Sequence, residues 1–324
     1  RSSEAARWLA EAYRAVGRYE DAARELRAAL PGEAQLANLL GEVLLLRGER
    51  EEAESLFQRA VDERHADELT ARVNLAELWF ERGELERAEE MLFTLIDAYN
   101  ARSNLDAAEL VAVGQACQRL GRVDPQLFKD ALRAYDEAIE AEPSWARPRL
   151  LVGELFLEKY DSTQARQSLV EVLTVNPEHP EARLALARVL HFDGSSKALD
   201  LVLGVLDTNP HSVPARVFHS RLLLQLEQFD EAAEQARLAL EVDAGSLEAL
   251  SALAAARFLA DQNEEFESTR AAVFERNPRY ADFYNLLADA SVRTARYRLA
   301  RDLARRAVEL DERSWQGWHH LGLN

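Results

Sequence analysis

Two short stretches of this sequence decide its fold: residues 17–22 read Gly-Arg-Tyr-Glu-Asp-Ala, and residues 227–232 read Glu-Gln-Phe-Asp-Glu-Ala. In both, an aromatic residue is followed by two acidic residues and then by alanine. Acidic side chains are favoured in the first turn of a helix, where they meet the exposed amides and the positive end of the dipole. We therefore expect each stretch to be a tight turn that leads into a helix.

Small residues recur along the whole chain at a period close to 34. The successive spacings are 31, 35, 38, 39, 34, 33, 34, 34 and 34, and the series is Ala10, Gly41, Ala76, Gly114, Gly153, Ala187, Ser220, Ala254, Ala288 and Gly322. A small residue within a helix lets two backbones approach closely, and a proline after a helix stops it. A fixed period of this length indicates stacked structural repeats.

The combination of small residue, turn aromatic and helix-stopping proline resembles the tetratricopeptide repeat family. The resemblance implies an all-α fold, a solenoid of helix–turn–helix repeats wound into a right-handed superhelix, with essentially no β-sheet. Nine complete helical hairpins and a truncated tenth fit into the sequence. We expect residues 1–324 to form a single array whose last repeat is cut off at Asn324.

The repeat period is disturbed once, around residues 101–126, where the spacings on either side of Gly114 lengthen to 38 and 39. Extra residues at a repeat junction change the angle between neighbouring repeats. One interpretation is a tolerated surface insertion, which is common in loops. The other is a hinge that alters the curvature between residues 1–102 and 144–324.

Composition narrows the classes of partner. The formal net charge of −18 argues against nucleic-acid binding and against docking to an anionic membrane. No apolar run reaches the ~18 residues that a membrane-spanning helix needs. The single cysteine, Cys117, cannot form a disulfide within the chain and is expected to be a buried core residue. The excess of acidic side chains either keeps the long surface of the repeat array soluble or selects basic binding partners.

The sequence lacks the common motifs for catalysis, phosphate binding and metal binding. It has no glycine-rich phosphate loop, no His-Glu-x-x-His and no paired-cysteine zinc pattern, so no cofactor, metal or catalytic residue is expected. In the tetratricopeptide family the first helix of each repeat lines a concave groove that holds a peptide. By that resemblance, residues one and four places beyond each small residue face the groove, and the candidates are Glu42, Glu77, Phe80, Glu154, Arg188, His191, Arg221 and Phe258.

The candidate positions change sign along the chain. Acidic residues in the first half favour a basic, amphipathic ligand, whereas Arg188 and Arg221 occupy the same place farther along. A groove face that is simply solvated is the alternative. We expect a non-catalytic scaffold that binds a protein or peptide.

Two other functions stay open. The repeats could be one part of a larger enzyme, such as a peptidase or transferase with its catalytic module outside these residues. The apolar face of the last helix, with Trp318 and Leu321, could also support self-association. The first residues do not resemble a signal peptide, but the sequence does not begin with methionine and its true N-terminus could have been processed or cut away. Localisation therefore stays open, with the cytoplasm slightly favoured.

Overall fold

The structure is a computed structural model, and it describes residues 3–30, 36–65, 67–102, 104–121 and 124–323. Within these residues it contains 19 α-helices and no β-strand. Nine helix pairs followed by a single helix confirm the predicted all-α repeat fold. Residues 103, 122 and 123, which belong to the predicted break at 101–126, lie outside the described residues, and that break stays a prediction.

The helices are, in chain order, α1 Ser3–Ala15, α2 Tyr19–Ala29, α3 Ala37–Leu45, α4 Arg50–Asp62, α5 Glu68–Glu81, α6 Leu85–Ala101, α7 Ala107–Leu120, α8 Gln126–Ala141, α9 Ala146–Glu158, α10 Ser162–Val175, α11 Pro180–Phe192, α12 Lys197–Thr208, α13 Val213–Gln225, α14 Phe229–Val242, α15 Leu247–Leu259, α16 Asn263–Arg276, α17 Ala281–Arg293, α18 Tyr297–Leu310 and α19 Trp315–Leu323.

The chain divides into two compact units. Unit 1 comprises Arg1–Trp79 and Leu85–Pro210, and unit 2 comprises Phe80–Glu84 and His211–Asn324. Odd-numbered helices, the first of each repeat, pack on one another: α9 on α11 in unit 1, and α13 on α15, α15 on α17 and α17 on α19 in unit 2. We call these odd-numbered helices the inner helices.

The small residues of the repeat mark close helix contacts, as predicted. A Cβ atom built on Gly153 would lie 2.8 Å from Cγ of Leu169 on the second helix of the same repeat. At Gly114 a Cβ atom would overlap the ring of Tyr135. Ser220 has the same place in its repeat and donates a hydrogen bond of 2.7 Å from Oγ to the carbonyl oxygen of Ala232. Larger side chains at these positions would push the helices apart.

Local sequence signals close several of the repeats. Asn277 ends α16, and its Oδ1 accepts a hydrogen bond of 2.8 Å from the backbone N–H of Arg279. Asp243 and Asp311 make the same turn after α14 and α18. Short polar side chains that bond to the backbone two residues on favour such turns over further helix. The repeats are thus separated by a side-chain cap as well as by proline.

The core of unit 2 is rich in alanine and in aromatic rings. Phe283 is fully buried, and its ring centroid lies 5.3 Å from that of Phe274 and 5.1 Å from that of Tyr284. Phe266 stacks on Phe283 with its ring centroid at 6.3 Å. Edge-on and offset ring contacts of this kind add stability beyond the area that they bury.

Candidate functional site

Polar side chains from successive inner helices form a ladder in unit 1. Nδ2 of Asn74 on α5 donates a hydrogen bond of 2.9 Å to Oδ1 of Asn38 on α3. Asn38 in turn donates from Nδ2 to Oε1 of Glu42, also at 2.9 Å, and Arg14 on α1 lies 3.3 Å from Oε2 of Glu42. The predicted groove residue Glu42 is therefore held by three inner helices at once, because Asn74 also approaches it at 3.4 Å.

A further contact joins the beginning of unit 1 to its end. Nδ2 of Asn209, which follows α12, donates a hydrogen bond of 3.1 Å to the hydroxyl oxygen of Tyr19 at the start of α2. Both side chains are buried. Since these residues belong to the first and sixth helix pairs, the six pairs of unit 1 bend far enough for its ends to touch.

Arginine side chains offset much of the acidic charge on the inner helices. Nη1 of Arg147 lies 3.7 Å from Oε2 of Glu181. Glu181 is exposed, and although the protein around it disfavours its charge, Arg147 and Arg14 outweigh this effect and hold the pKa of the carboxyl below its usual value. Arg147 also interacts electrostatically with Glu154 and Glu42. Carboxylates from three inner helices thus act on one guanidinium.

An open pocket of about 320 Å³ lies where the inner helices α7, α9 and α11 meet. We call it the Glu154 pocket, and its lining residues are Gln118, Gly153, Glu154, Leu157, Glu158, Leu169, Ala185 and Arg188. Two predicted groove residues, Glu154 and Arg188, thus face the same space. Carboxylate, amide, guanidinium and apolar groups meet there, so the pocket offers both polar and apolar contacts.

A buried hydroxyl fixes one wall of the Glu154 pocket. Tyr135 is fully buried, which raises the pKa of its hydroxyl well above the usual value and keeps it a neutral donor. This hydroxyl donates a hydrogen bond of 2.8 Å to Oε1 of Gln118. Nε2 of Gln118 then donates to Oε2 of Glu158 at 3.0 Å. The Glu158 carboxylate is therefore oriented before any ligand arrives.

The other predicted positions have different surroundings. Glu77 on α5 lies 3.5 Å from Nε of Arg119 on α7. His191, at the end of α11, is partly buried. Neither residue lines the Glu154 pocket.

Three predicted positions belong to unit 2. Arg221 is exposed, and it opposes the rise in the pKa of Tyr280 that burial and Glu248 cause. Phe258 packs its ring 5.1 Å from that of Phe266, against the core of the unit. The backbone carbonyl of Phe80 accepts a hydrogen bond of 3.2 Å from Nδ2 of Asn277.

Sequence reasoning did not single out the partners that complete these contacts. Arg14 and Gln118 lie four places beyond the small residues Ala10 and Gly114, so the rule that proposed Phe80 and His191 would also have found them. Arg147 carries no such signal, because it lies near the start of α9 rather than beyond its small residue. The rule could not find Tyr135 either, because this residue lies on α8, the second helix of its repeat.

Other chemistry finds little support in the described part of the chain. No three His, Cys, Asp or Glu side chains of those residues stand close enough together to hold a metal ion. Burial raises the pKa of the Cys117 thiol to about 11, which fits the predicted core role and not that of a nucleophile. None of the helices described combines the length and apolar composition needed to span a bilayer.

The helix pairs and their inner face define an all-α repeat protein, and sequence models identify the family. Two models of the tetratricopeptide repeat match residues 8–68 and 44–112. Residues 8–112 therefore contain tetratricopeptide repeats, and the helix pairs that continue to the last described residue extend the same fold. Such repeats generally mediate contacts between proteins. No curated protein matches the chain by sequence.

Solved structures are similar to this chain at low sequence identity. A tetratricopeptide repeat protein from Parabacteroides merdae ATCC 43184 is 20% identical, with a TM-score of 0.50 over 79% of this chain and 98% of that chain. A monomeric mutant of IFIT1 with Gppp-AAAA is 15% identical, with a TM-score of 0.50 over 85% of this chain and 69% of that one. TTC0263, a thermophilic protein in Thermus thermophilus, is 18% identical with a TM-score of 0.46, and the match covers 55% of this chain and 99% of that one.

Proposed function

We propose that this chain is a non-catalytic interaction scaffold that binds a polypeptide segment on its inner helices. The observation that carries the proposal is the Glu154 pocket, in which three successive repeats each contribute a polar side chain to one open space. A peptide laid across α7, α9 and α11 would meet Gln118, Glu154 and Arg188 in turn. Inner helices of consecutive repeats thereby supply a continuous surface, which is how stacked repeats hold extended ligands.

The charges on the inner helices favour a polypeptide ligand of mixed charge over a uniformly basic one. The inner helices of unit 1 carry Glu42, Glu77 and Glu154, but each of these carboxylates lies near an arginine. A ligand that presents only cations would compete with those arginines. Arg188 in unit 1 is suited to a ligand carboxylate, which a guanidinium can bind through two parallel hydrogen bonds. In unit 2 we propose the same role for the exposed Arg221.

Selection from a random peptide library tests this proposal even though the partner is unidentified. Peptides selected against the whole chain would be synthesised, and their dissociation constants measured by fluorescence polarisation for the parent and for E154K and R188E. We expect at least one of these charge reversals to weaken binding by about tenfold or more, since a truncated or reversed charge pair affects dissociation most. The matched control is E140K on the exposed face of α8, which should bind like the parent.

Two results would overturn the proposal. One is that no peptide binds measurably; the other is that every selected peptide binds E154K, R188E and E140K equally. Mass spectrometry of the recovered peptides checks the non-catalytic part, because a scaffold returns its ligand with an unchanged mass. Circular dichroism confirms first that each variant remains helical.

A further inference from the structure

The Glu154 pocket has an apolar floor with polar walls. Leu157, which is partly buried, gives the floor its accessible apolar surface, while Leu169 and Ala185 are buried and Gly153 adds no side chain that would fill the pocket. A Cβ atom at Gly153 would come within 2.8 Å of Cγ of Leu169, so this position tolerates no larger residue without movement of the floor. An aliphatic chain can therefore lie on the floor while its polar end meets the walls, as the stems of lysine and arginine do elsewhere.

Two carboxylates stand on one wall of the pocket. Glu154 and Glu158 are one turn apart on α9, which places them on the same face of that helix. The hydrogen bonds from Tyr135 to Gln118 and from Gln118 to Glu158 hold the second carboxylate in place. A site whose acceptors are already ordered loses less entropy when it binds a donor.

Arg188 is the only cation among the described residues that line the pocket. Two carboxylates and one guanidinium line the pocket, and Arg147, which also acts on Glu154, is shared with Glu42 and Glu181. The pocket therefore keeps a net negative charge, which favours a cationic guest. Arg188 itself would repel that guest, so its removal should strengthen the binding of a cation. Removal of a carboxylate and removal of the guanidinium should therefore change the affinity for a cation in opposite directions.

We propose that the Glu154 pocket receives the side chain of an arginine or lysine of the bound polypeptide, with its cationic end at Glu154 and Glu158 and its stem on the floor. The assignment rests on the proposed function, because it specifies which residue of a bound polypeptide occupies this pocket. At about 320 Å³ the pocket lies at the lower end of the sizes known for ligand sites, which suits one long side chain.

A small probe tests the pocket without a partner. N-acetyl-arginine N-methylamide carries the side chain without charged chain ends, and the side-chain amide signal of Gln118 in an NMR spectrum reports its arrival. We expect this signal to shift with the arginine probe and to shift much less with the blocked norleucine and glutamate analogues. E154Q should weaken the binding of the arginine probe by about tenfold, and R188Q should strengthen it by about threefold.

Control variants separate a local effect from a general one. E140Q removes the same charge from the exposed face of α8 and should leave the affinity for the arginine probe unchanged. E158Q repeats the test on the second carboxylate if E154Q does not fold. Equal shifts with arginine and norleucine, or an affinity that neither E154Q nor R188Q changes, would overturn the assignment.

The selected peptides distinguish this assignment from the proposed function. If peptides bind the inner helices but replacement of each basic residue by norleucine leaves their affinity for the parent unchanged, the pocket assignment is wrong and the scaffold proposal stands. If no peptide binds while the arginine probe still shifts the Gln118 signal, the scaffold proposal is wrong, and only the preference of the pocket for an arginine side chain stands.

Discussion

Helices α9 and α15 are both inner helices, but their surroundings differ. Along α15 the alanines Ala252, Ala254, Ala255 and Ala256 are fully buried, and α15 packs against α13, α14, α16 and α17. On α9, Glu154 and Glu158 remain accessible and border an open pocket. Ala255 and Glu154 each follow the small residue of their repeat, so this one position is core in unit 2 and surface in unit 1, whereas Leu151 and Leu155 of α9 are buried like their counterparts.

The charged residue of α15 shows the same contrast. Arg257 is buried, and its guanidinium lies 2.9 Å from Oδ1 of Asp230 and 2.9 Å from Oε2 of Glu265. The Arg257 guanidinium is therefore paired with carboxylates of unit 2 itself. On α9 the carboxylate of Glu154 shares its guanidinium partner, Arg147, with carboxylates of two other helices. We infer that unit 2 is stabilised mainly by packing, whereas unit 1 keeps polar groups available on its inner face.

The largest expected effect tests the packing of unit 2. Phe283→Ala removes a fully buried ring that contacts three other aromatic rings, so it should lower the free energy of unfolding by about 3–5 kcal/mol. Urea unfolding followed by circular dichroism measures the loss. Phe93→Ala, at a ring that is 51% exposed in unit 1, is the control and should change little. Similar losses for both would contradict the contrast between core and surface.

A second pair of variants compares the helix contacts of the two units. Ala165→Leu in unit 1 and Ala232→Leu in unit 2 should each cost about 1–3 kcal/mol, because both alanines are fully buried at close helix contacts and added methylenes must overpack them. Gln167→Leu on the exposed face of α10 should cost far less. If the two alanine variants keep the parent's midpoint in urea, the repeat register is wrong.

A smaller effect tests the contact between the ends of unit 1. Tyr19→Phe removes the hydroxyl that accepts a hydrogen bond from Asn209, and it leaves the buried amide without that partner. We expect a loss of about 1 kcal/mol in the free energy of unfolding. Tyr297 has the same place in its repeat but is 56% exposed, so Tyr297→Phe is the matched control. Equal midpoints for the two variants would show that the Asn209 contact contributes nothing to stability.

The sequence predicted the fold through features that lie within one repeat. Gly114 and Gly153 mark contacts with the second helix of their own repeat, and the spacing of such residues is visible without coordinates. The same register placed Glu154 and Arg188 on one surface, and both line the Glu154 pocket.

Features that join distant repeats could not be read in the same way. Asn209 and Tyr19 meet only because unit 1 bends through six helix pairs, and the bend depends on small rotations that add up from repeat to repeat. The contact between Arg14 and Glu42 likewise joins two repeats, because α1 and α3 belong to different helix pairs. Charge patterns along one helix therefore overstate the acidity of the inner face.

The smallest expected effect concerns pH and the polar face of unit 1. Asp67 precedes α5, and its Oδ1 is buried without a hydrogen-bond partner. Burial raises the pKa of this carboxyl to about 6, and the nearby Glu42 adds to the rise. Since the folded pKa lies above that of the unfolded chain, the protonated carboxyl stabilises the fold fully below pH ~4, and this contribution is lost as the pH rises through about 6.

Asp67→Asn removes this titration. Relative to the parent, D67N should gain stability as the pH rises from about 5.5 to about 7.5, by less than ~1 kcal/mol because solvent reaches part of the carboxyl group. Urea midpoints over that range measure the difference and stay above the pI of about 4.9, where solubility is least. Asp62→Asn, at an exposed position at the end of α4, is the control. The contrary outcome is a difference in urea midpoint between D67N and the parent that is constant with pH or shrinks as the pH rises. It would mean that the Asp67 carboxyl is not held in its protonated form. The inner face of unit 1 would then accept this charge at no cost.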